Sequence, residues 1–134
     1  MHRTLGASLL LIVSAAALPA QAWKDIGKTT SGSTISVNPK SVKTLKDNQV
    51  AAAVRVVFPE PVKTPTGIWA SSRTTATFDC AKKTFAVKEN VYYSDVKSTR
   101  VVDRKVNKLP GYGPALNGSF AELAMTYLCS AHPK

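Results

Sequence analysis

From Val50 to Phe58 the chain alternates without a break. Val50, Ala52, Val54, Val56 and Phe58 fall on one side, and Ala51, Ala53, Arg55 and Val57 on the other. A period of two sustained over this stretch is the mark of a strand with one buried face, and it excludes an all-helical fold. The mixed composition of the second side predicts partial exposure.

Such a strand needs neighbours. Asp47-Asn48 reads as a tight turn, with Val42–Leu45 as the hairpin partner on its far side. Upstream, Thr34-Ile35-Ser36-Val37 forms a short strand that Asn38-Pro39 ends. Trp23–Ile26 reads as the first strand, with Trp23 and Ile26 packing inward. Downstream, Pro59, Pro61 and Pro65 mark residues 60–67 as a loop, because proline has no N–H to give a sheet ladder. The next strand runs from about Trp69 to Cys80, with Thr74, Ala76, Phe78 and Cys80 on one face. Ala81-Lys82-Lys83 turns the chain into a returning strand, Thr84 to Ser94. There Phe85, Val87, Val91 and Tyr93 share a parity that Glu89 interrupts. A last strand is expected over Thr99–Arg104, followed by a Gly- and Pro-rich loop from Lys105 to Gly118.

The period then changes. Ser119, with Glu122 three residues on, makes a capping box. Phe120, Leu123, Ala124, Tyr127 and Leu128 recur at helical spacing, which predicts an amphipathic helix burying that stripe. The expected class is therefore α+β: an antiparallel sheet of about five to six strands with one face covered by a C-terminal helix.

Residues 1–22 read as a cleavable secretory signal peptide. His2 and Arg3 precede an apolar run from Leu5 to Leu18, Pro19 breaks it, and Ala20-Gln21-Ala22 places small residues before a cut at Trp23. The apolar run is shorter than the ~20 residues a membrane-spanning helix needs. No later stretch is apolar enough to span a bilayer, and no Cys follows the cut to take a lipid. Residues 23–134 form one domain by length.

Export decides how the two cysteines are read. In an oxidising compartment Cys80 and Cys129 are expected to form a disulfide tying a strand to the end of the helix. Redox pairs sit closer together, and no further Cys or nearby His completes a zinc site. Asp79, beside Cys80, reads as a structural group that bonds backbone near the bridge.

Export also redirects the charge. The chain carries 18 Lys and Arg against 8 Asp and Glu, of which the leader removes only Arg3. Outside the cytosol such an excess points away from nucleic acid and toward anionic envelope polymers or sulfated glycans. The densest basic group is Lys97, Arg100, Arg104, Lys105 and Lys108, near Tyr112. Arg100 and Arg104 share a face at strand spacing. Arg100, Arg104, Lys105, Lys108 and Tyr112 are the candidate ligand-binding residues. The competing reading is an edge strand protected by charge against aggregation. Smaller groups surround Lys40, Lys43 and Lys46, and Lys82, Lys83 and Lys88.

No catalytic set is expected. The one His after the leader, His132, lies in the C-terminal tail, where an imidazole is seldom positioned for proton transfer. The carboxylates show no paired spacing, and no metal site, cofactor site or phosphate-binding glycine motif is evident.

In this order, Trp23-Lys24-Asp25-Ile26-Gly27, Ser36-Val37-Asn38-Pro39-Lys40-Ser41-Val42, Ser71-Ser72-Arg73, Phe78-Asp79-Cys80 and the helix Ser119–Leu128 into Cys129 resemble the surface-adhesin protein E family of Gram-negative bacteria. The chain departs from the family pattern before the helix, with Tyr112-Gly113-Pro114 and Asn117-Gly118-Ser119 where members carry a Trp and a Pro-Gly-Ser. The resemblance implies the same sheet, helix and Cys80–Cys129 bridge. It implies a location in the periplasm or at the outer cell surface, host matrix or plasma proteins as partners, and a homodimer. The expected function is a non-catalytic binding module for a protein or anionic ligand. The alternative is a periplasmic accessory or structural interaction protein, or a small inhibitor, with no adhesive role.

Overall fold

The computed structural model describes residues 22–131 and, apart from them, Gly6. The expected leader and His132 lie outside the described residues. Eight strands and one helix follow in order: β1 (Lys24–Lys28), β2 (Thr34–Val37), β3 (Lys43–Thr44), β4 (Gln49–Thr64), β5 (Gly67–Asp79), β6 (Thr84–Tyr93), β7 (Val101–Val106), β8 (Gly113–Pro114) and α1 (Phe120–Ala131). One turn of 3-10 helix, Pro39–Ser41, leads into β3.

All strands belong to one curled antiparallel sheet in the order β1-β2-β4-β5-β6-β7. The two shortest strands fill gaps along its edges. β3 pairs Val50 and Ala51 of β4 where β2 has ended, and β8 pairs Thr84 and Phe85 of β6 where β7 has ended. Both residues of the expected tight turn, Asp47 and Asn48, have positive φ, 61° and 62°. Asp and Asn adopt that left-handed region at less cost than other side chains.

The core lies between the sheet and α1. The sheet contributes Ile35, Val37, Val50, Ala52, Val54, Val56, Ala76 and Phe78. The helix contributes Ala121, Ala124, Met125 and Leu128. Ile35, Val37, Val54, Phe78 and Leu128 are fully buried, worth about 1.5–3 kcal/mol each. Phe120 meets Phe85 edge-on at 5.6 Å. The buried stripe is rotated from the expected one: Ala121 and Met125 join Ala124 and Leu128, while Phe120, Leu123 and Tyr127 flank it half-buried. Ala121 and Ala124 face the sheet beside Met125 and Leu128, and Phe120, Leu123 and Tyr127 pack at the edges of that stripe. At the helix start Ser119 Oγ accepts from the Glu122 N–H at 3.3 Å, and the Glu122 carboxylate accepts from Gly118 rather than Ser119.

Three sequence expectations need correction. Residues 60–64 are strand, not loop. β4 runs to Thr64, and only Pro65 and Thr66 turn the chain into β5. The rule about proline still holds. Pairing with β5 breaks between Val57 and Val62, and β2 stops at Val57, so Pro59 and Pro61 face no acceptor that needs an N–H. Trp23 does not pack into the core with Ile26; it lies on the opposite face, against Arg55. β7 begins at Val101 and takes in Lys105 and Val106, two residues beyond the expected strand. The parity break at Glu89 is a bulge: Thr75 pairs Glu89 and Ala76 pairs Val87, leaving Lys88 extra.

Cys80 and Cys129 are bonded at 2.05 Å. Asp79 accepts from the Ala81 and Lys82 N–H groups at 3.1 and 3.0 Å, so it holds the turn beside the bridge, as its position predicts.

Candidate binding surface

The candidate residues are distributed by β7 alternation. β7 ends the sheet, so its outer edge is unpaired in the described sheet. Arg104 and Lys105 are exposed and point to opposite faces. Arg100 lies before β7, in a turn closed by Asp95, and a register shift between Tyr92 and Tyr93 separates it from Arg104. Strand alternation therefore does not place Arg100 and Arg104 on one face. Lys108 is exposed beyond β7, where it and Lys88 line a hollow of about 460 Å³ over Thr75 and Glu89. Tyr112 reaches to the start of β4, its hydroxyl 3.3 Å from Gln49 Oε1.

The face turned away from α1 gathers charge that no local cluster reveals. Successive pairings align Asp25, Ser36, Arg55, Arg73, Val91 and Arg104 in one row across six strands. Their neighbours Val54 and Val37 face the helix, so this row faces away from it. Val91 is fully buried. Arg73 pairs with Glu89 at 3.7 Å, both about a quarter exposed. At the start of the row Ser36 Oγ donates to Asp25 at 2.5 Å.

Arg55 differs from the other two arginines. Its guanidinium stands 5.1 Å from the centre of the Trp23 ring. Its Nε is buried with no hydrogen-bond partner among the described residues. Burial pulls its pKa below the usual arginine value, opposed by the Asp25 carboxylate. Arg55 and Arg73 were not singled out from sequence. They are 18 positions apart and meet only through strand register.

Trp69 stacks on Tyr92 with ring centres 3.7 Å apart and planes 13° from parallel. Lys105 Nζ is 5.5 Å from one ring centre and 5.7 Å from the other. Near-equal distances to two stacked rings put the ammonium at the rim of the stack, not over a face, where the ring quadrupole attracts it least. Burial, with the Asp103 carboxylate, raises the Tyr92 hydroxyl pKa. This group braces β5 against β7.

Two turns complete the surface. Asp95 accepts from the Thr99 hydroxyl, from the Arg100 N–H at 2.9 Å and from the Thr99 N–H. These bonds, that of the Thr99 hydroxyl foremost, hold its pKa at about 2. Ser71 Oγ bonds the Asp95 carbonyl at 2.6 Å and the Ser98 hydroxyl at 2.7 Å, fixing the same turn to β5. Among the described residues no three His, Cys, Asp or Glu side chains gather as a metal site, and no helix is long and apolar enough to cross a membrane.

The sequence pattern of surface-adhesin protein E matches residues 23–130. No curated protein matches at a significant level. Among solved structures, the selenomethionine form of Haemophilus influenzae protein E superposes with a TM-score of 0.59 at 13% identity, over 88% of this chain and 95% of that one. A second crystal form of that protein gives 0.57 at 14% identity, over 88% and 97%. Protein E from non-typeable Haemophilus influenzae gives 0.56 at 11%, over 86% and 79%. At these identities the likeness is one of fold. With the family pattern extending through the whole sheet, the Cys80–Cys129 bridge and the helix, this chain belongs to the surface-adhesin protein E family.

Proposed function

We propose that this chain is an exported, non-catalytic binding module of the Gram-negative envelope, adhesin-like, which meets an anionic or protein ligand through β7 and the sheet face away from the helix. The observation that carries this reading is the row of Arg55, Arg73 and Arg104 across the sheet, ending at the exposed edge strand. Arg100, Lys105 and Lys108 border that edge and extend its positive field. Host matrix or plasma proteins with acidic patches, and anionic envelope polymers, are the partners such a surface fits. The family's name describes surface adhesion, and a leader at residues 1–22 is consistent with delivery to the periplasm or beyond.

The test is retention on immobilised heparin and on lipopolysaccharide across a salt gradient. Binding is expected to weaken steeply with salt, as contacts that release counterions do. An Arg100→Ala, Arg104→Ala, Lys105→Ala variant is expected to elute at clearly lower salt. Elution unchanged by the triple substitution, or no retention at low salt, removes the reading. Fractionation of the producing cell separates a surface pool from a periplasmic one.

A further inference from the structure

β7 is unpaired along its outer side, and its register shows which backbone groups point there. The Asn107 N–H bonds the Lys88 carbonyl at 2.8 Å, so Asn107 turns its backbone toward β6. Alternation from that point turns Lys105 and Asp103 inward too, and Val106 and Arg104 outward. The Arg104 N–H bears this out: it donates to the Asp103 carboxylate, at 2.8 Å, in place of a strand carbonyl. At the other end the Arg100 carbonyl accepts from Ser94, which turns Arg100 inward and Val101 outward, with Val102 as the extra residue of the bulge. Val101, Arg104 and Val106 thus present their backbone groups at the edge. They stand opposite Tyr93, Val91 and Glu89, at the even spacing of a regular strand. Their side chains share the face away from α1. Val101 and Val106 are 57% and 61% exposed, with the exposed Arg104 between them.

From this edge we infer that β7 is a strand-addition site for another protein: an extended acidic segment pairs along its outer side, with a carboxylate opposite Arg104 and an apolar side chain opposite each of Val101 and Val106. The inference rests on the reading that β7 belongs to the binding surface, and it names the partner and the mode. In strand addition, main-chain bonds supply the hold and alternate side chains the choice. The incoming carbonyl takes the Arg104 N–H and displaces the Asp103 carboxylate from it. Charge decides against a second copy of this chain. Lys97, Arg100, Arg104, Lys105 and Lys108 crowd this edge against Asp95 and Asp103, so two such edges repel each other. The charge that guards an edge strand against unselective pairing admits an acidic strand.

The probe is a capped synthetic peptide in which threonine alternates with valine, glutamate and valine. Hydrogen exchange of the full chain reads the backbone directly. The Val106 amide is expected to exchange fast alone and slowly with peptide, whereas the Lys105 amide, paired with Asn90, is slow in both. Val106→Pro removes an outward N–H, keeps every charge and leaves the ladder to β6 whole. It is expected to weaken peptide binding about tenfold or more. Lysine in place of the peptide's glutamate is expected to weaken it several-fold. Lys46→Gln, in the turn before β4, is expected to change it less than twofold.

If the peptide shows no saturable binding, or binds without slowing the Val106 amide, strand addition is overturned, while salt-sensitive retention of the parent on heparin keeps the wider reading. If a Val106→Pro protein with the parent's melting curve binds the peptide like the parent, strand addition is again wrong. A Val106 amide already protected without peptide, in a protein that sediments as a dimer, puts a second copy at the edge and also overturns it. Peptide binding with protection but no retention on heparin keeps strand addition and removes the polyanion from the wider reading. Should Val106→Pro fold poorly, the peptide carries the test: N-methyl groups on the amides that face β7 are expected to abolish binding, and on the alternate amides to spare it.

Discussion

The disulfide closes a segment of 49 residues between the end of β5 and the last turns of α1. In the chain-entropy treatment, opening a loop of that size frees the unfolded chain by an amount worth about 4 kcal/mol at 25 °C. The rest of the helix attachment does not depend on it. Ala124 and Leu128 remain fully buried against the sheet, and α1 packs on β1, β2 and β4 without the bridge. Cys80→Ala/Cys129→Ala is therefore expected to fold at 20 °C with native far- and near-ultraviolet circular dichroism but to melt far earlier. A domain of this size shifts by roughly 4–6 °C per kcal/mol, so the melting temperature should fall by about 15–25 °C. Urea unfolding followed by tryptophan fluorescence should show a larger slope as well as a lower midpoint, because the unfolded chain without the bridge exposes more surface. Parent protein treated with a phosphine reductant should match the variant. A fall of less than about 5 °C with an unchanged slope would refute the reasoning, since the bridge would then not be restraining the unfolded state.

Two further perturbations test local structure. Gly118 has φ +76°, and a Cβ there would sit 2.4 Å from Thr30 Cγ2, so Gly118→Ala is expected to lose about 1–3 kcal/mol in urea titration; Gly118→Ala with Thr30→Ser should recover part of it. Asp95 has a folded pKa of about 2, below its unfolded value, so its contribution to stability is present above about pH 4 and is lost as pH falls through 2. Asp95→Asn should flatten the acid limb of the stability–pH curve, and in the parent the Thr99 amide signal should titrate near pH 2; an unaltered acid limb in the variant shows that the turn does not depend on the carboxylate.

What the sequence makes legible follows from what is local. The Val50–Phe58 alternation, the Asp47-Asn48 turn and the switch to helical period after Ser119 each report one side chain's relation to its near neighbours, and each is found in the structure. The Glu60–Thr64 stretch is misread because proline bars a residue from donating to a ladder, not from lying extended where no donor is needed. The helix stripe is misplaced because hydrophobicity counts Phe120 and Tyr127 above Ala121, whereas close approach favours the small residue. The arginine row is invisible for a stronger reason. It depends on five successive strand registers, and bulges at Ile26, Lys88 and Val102 shift parity within three of those strand pairs. Lys105 illustrates the converse: adjacent to Arg104 in sequence, it serves the opposite face.

The order of the elements has a bearing on how the protein is made. Neighbours in the main sheet are mostly neighbours in the chain, so the meander from β4 to β7 can pair as it emerges. Its core cannot close in that way. Leu123 packs over Gly27 and Lys24 reaches the Tyr127 ring, so the helix made last seals against the strand made first. Until α1 is released, Ile35, Val37 and Phe78 have no cover. A chain built to this plan completes its core only when its last residues are available to the strand at its start.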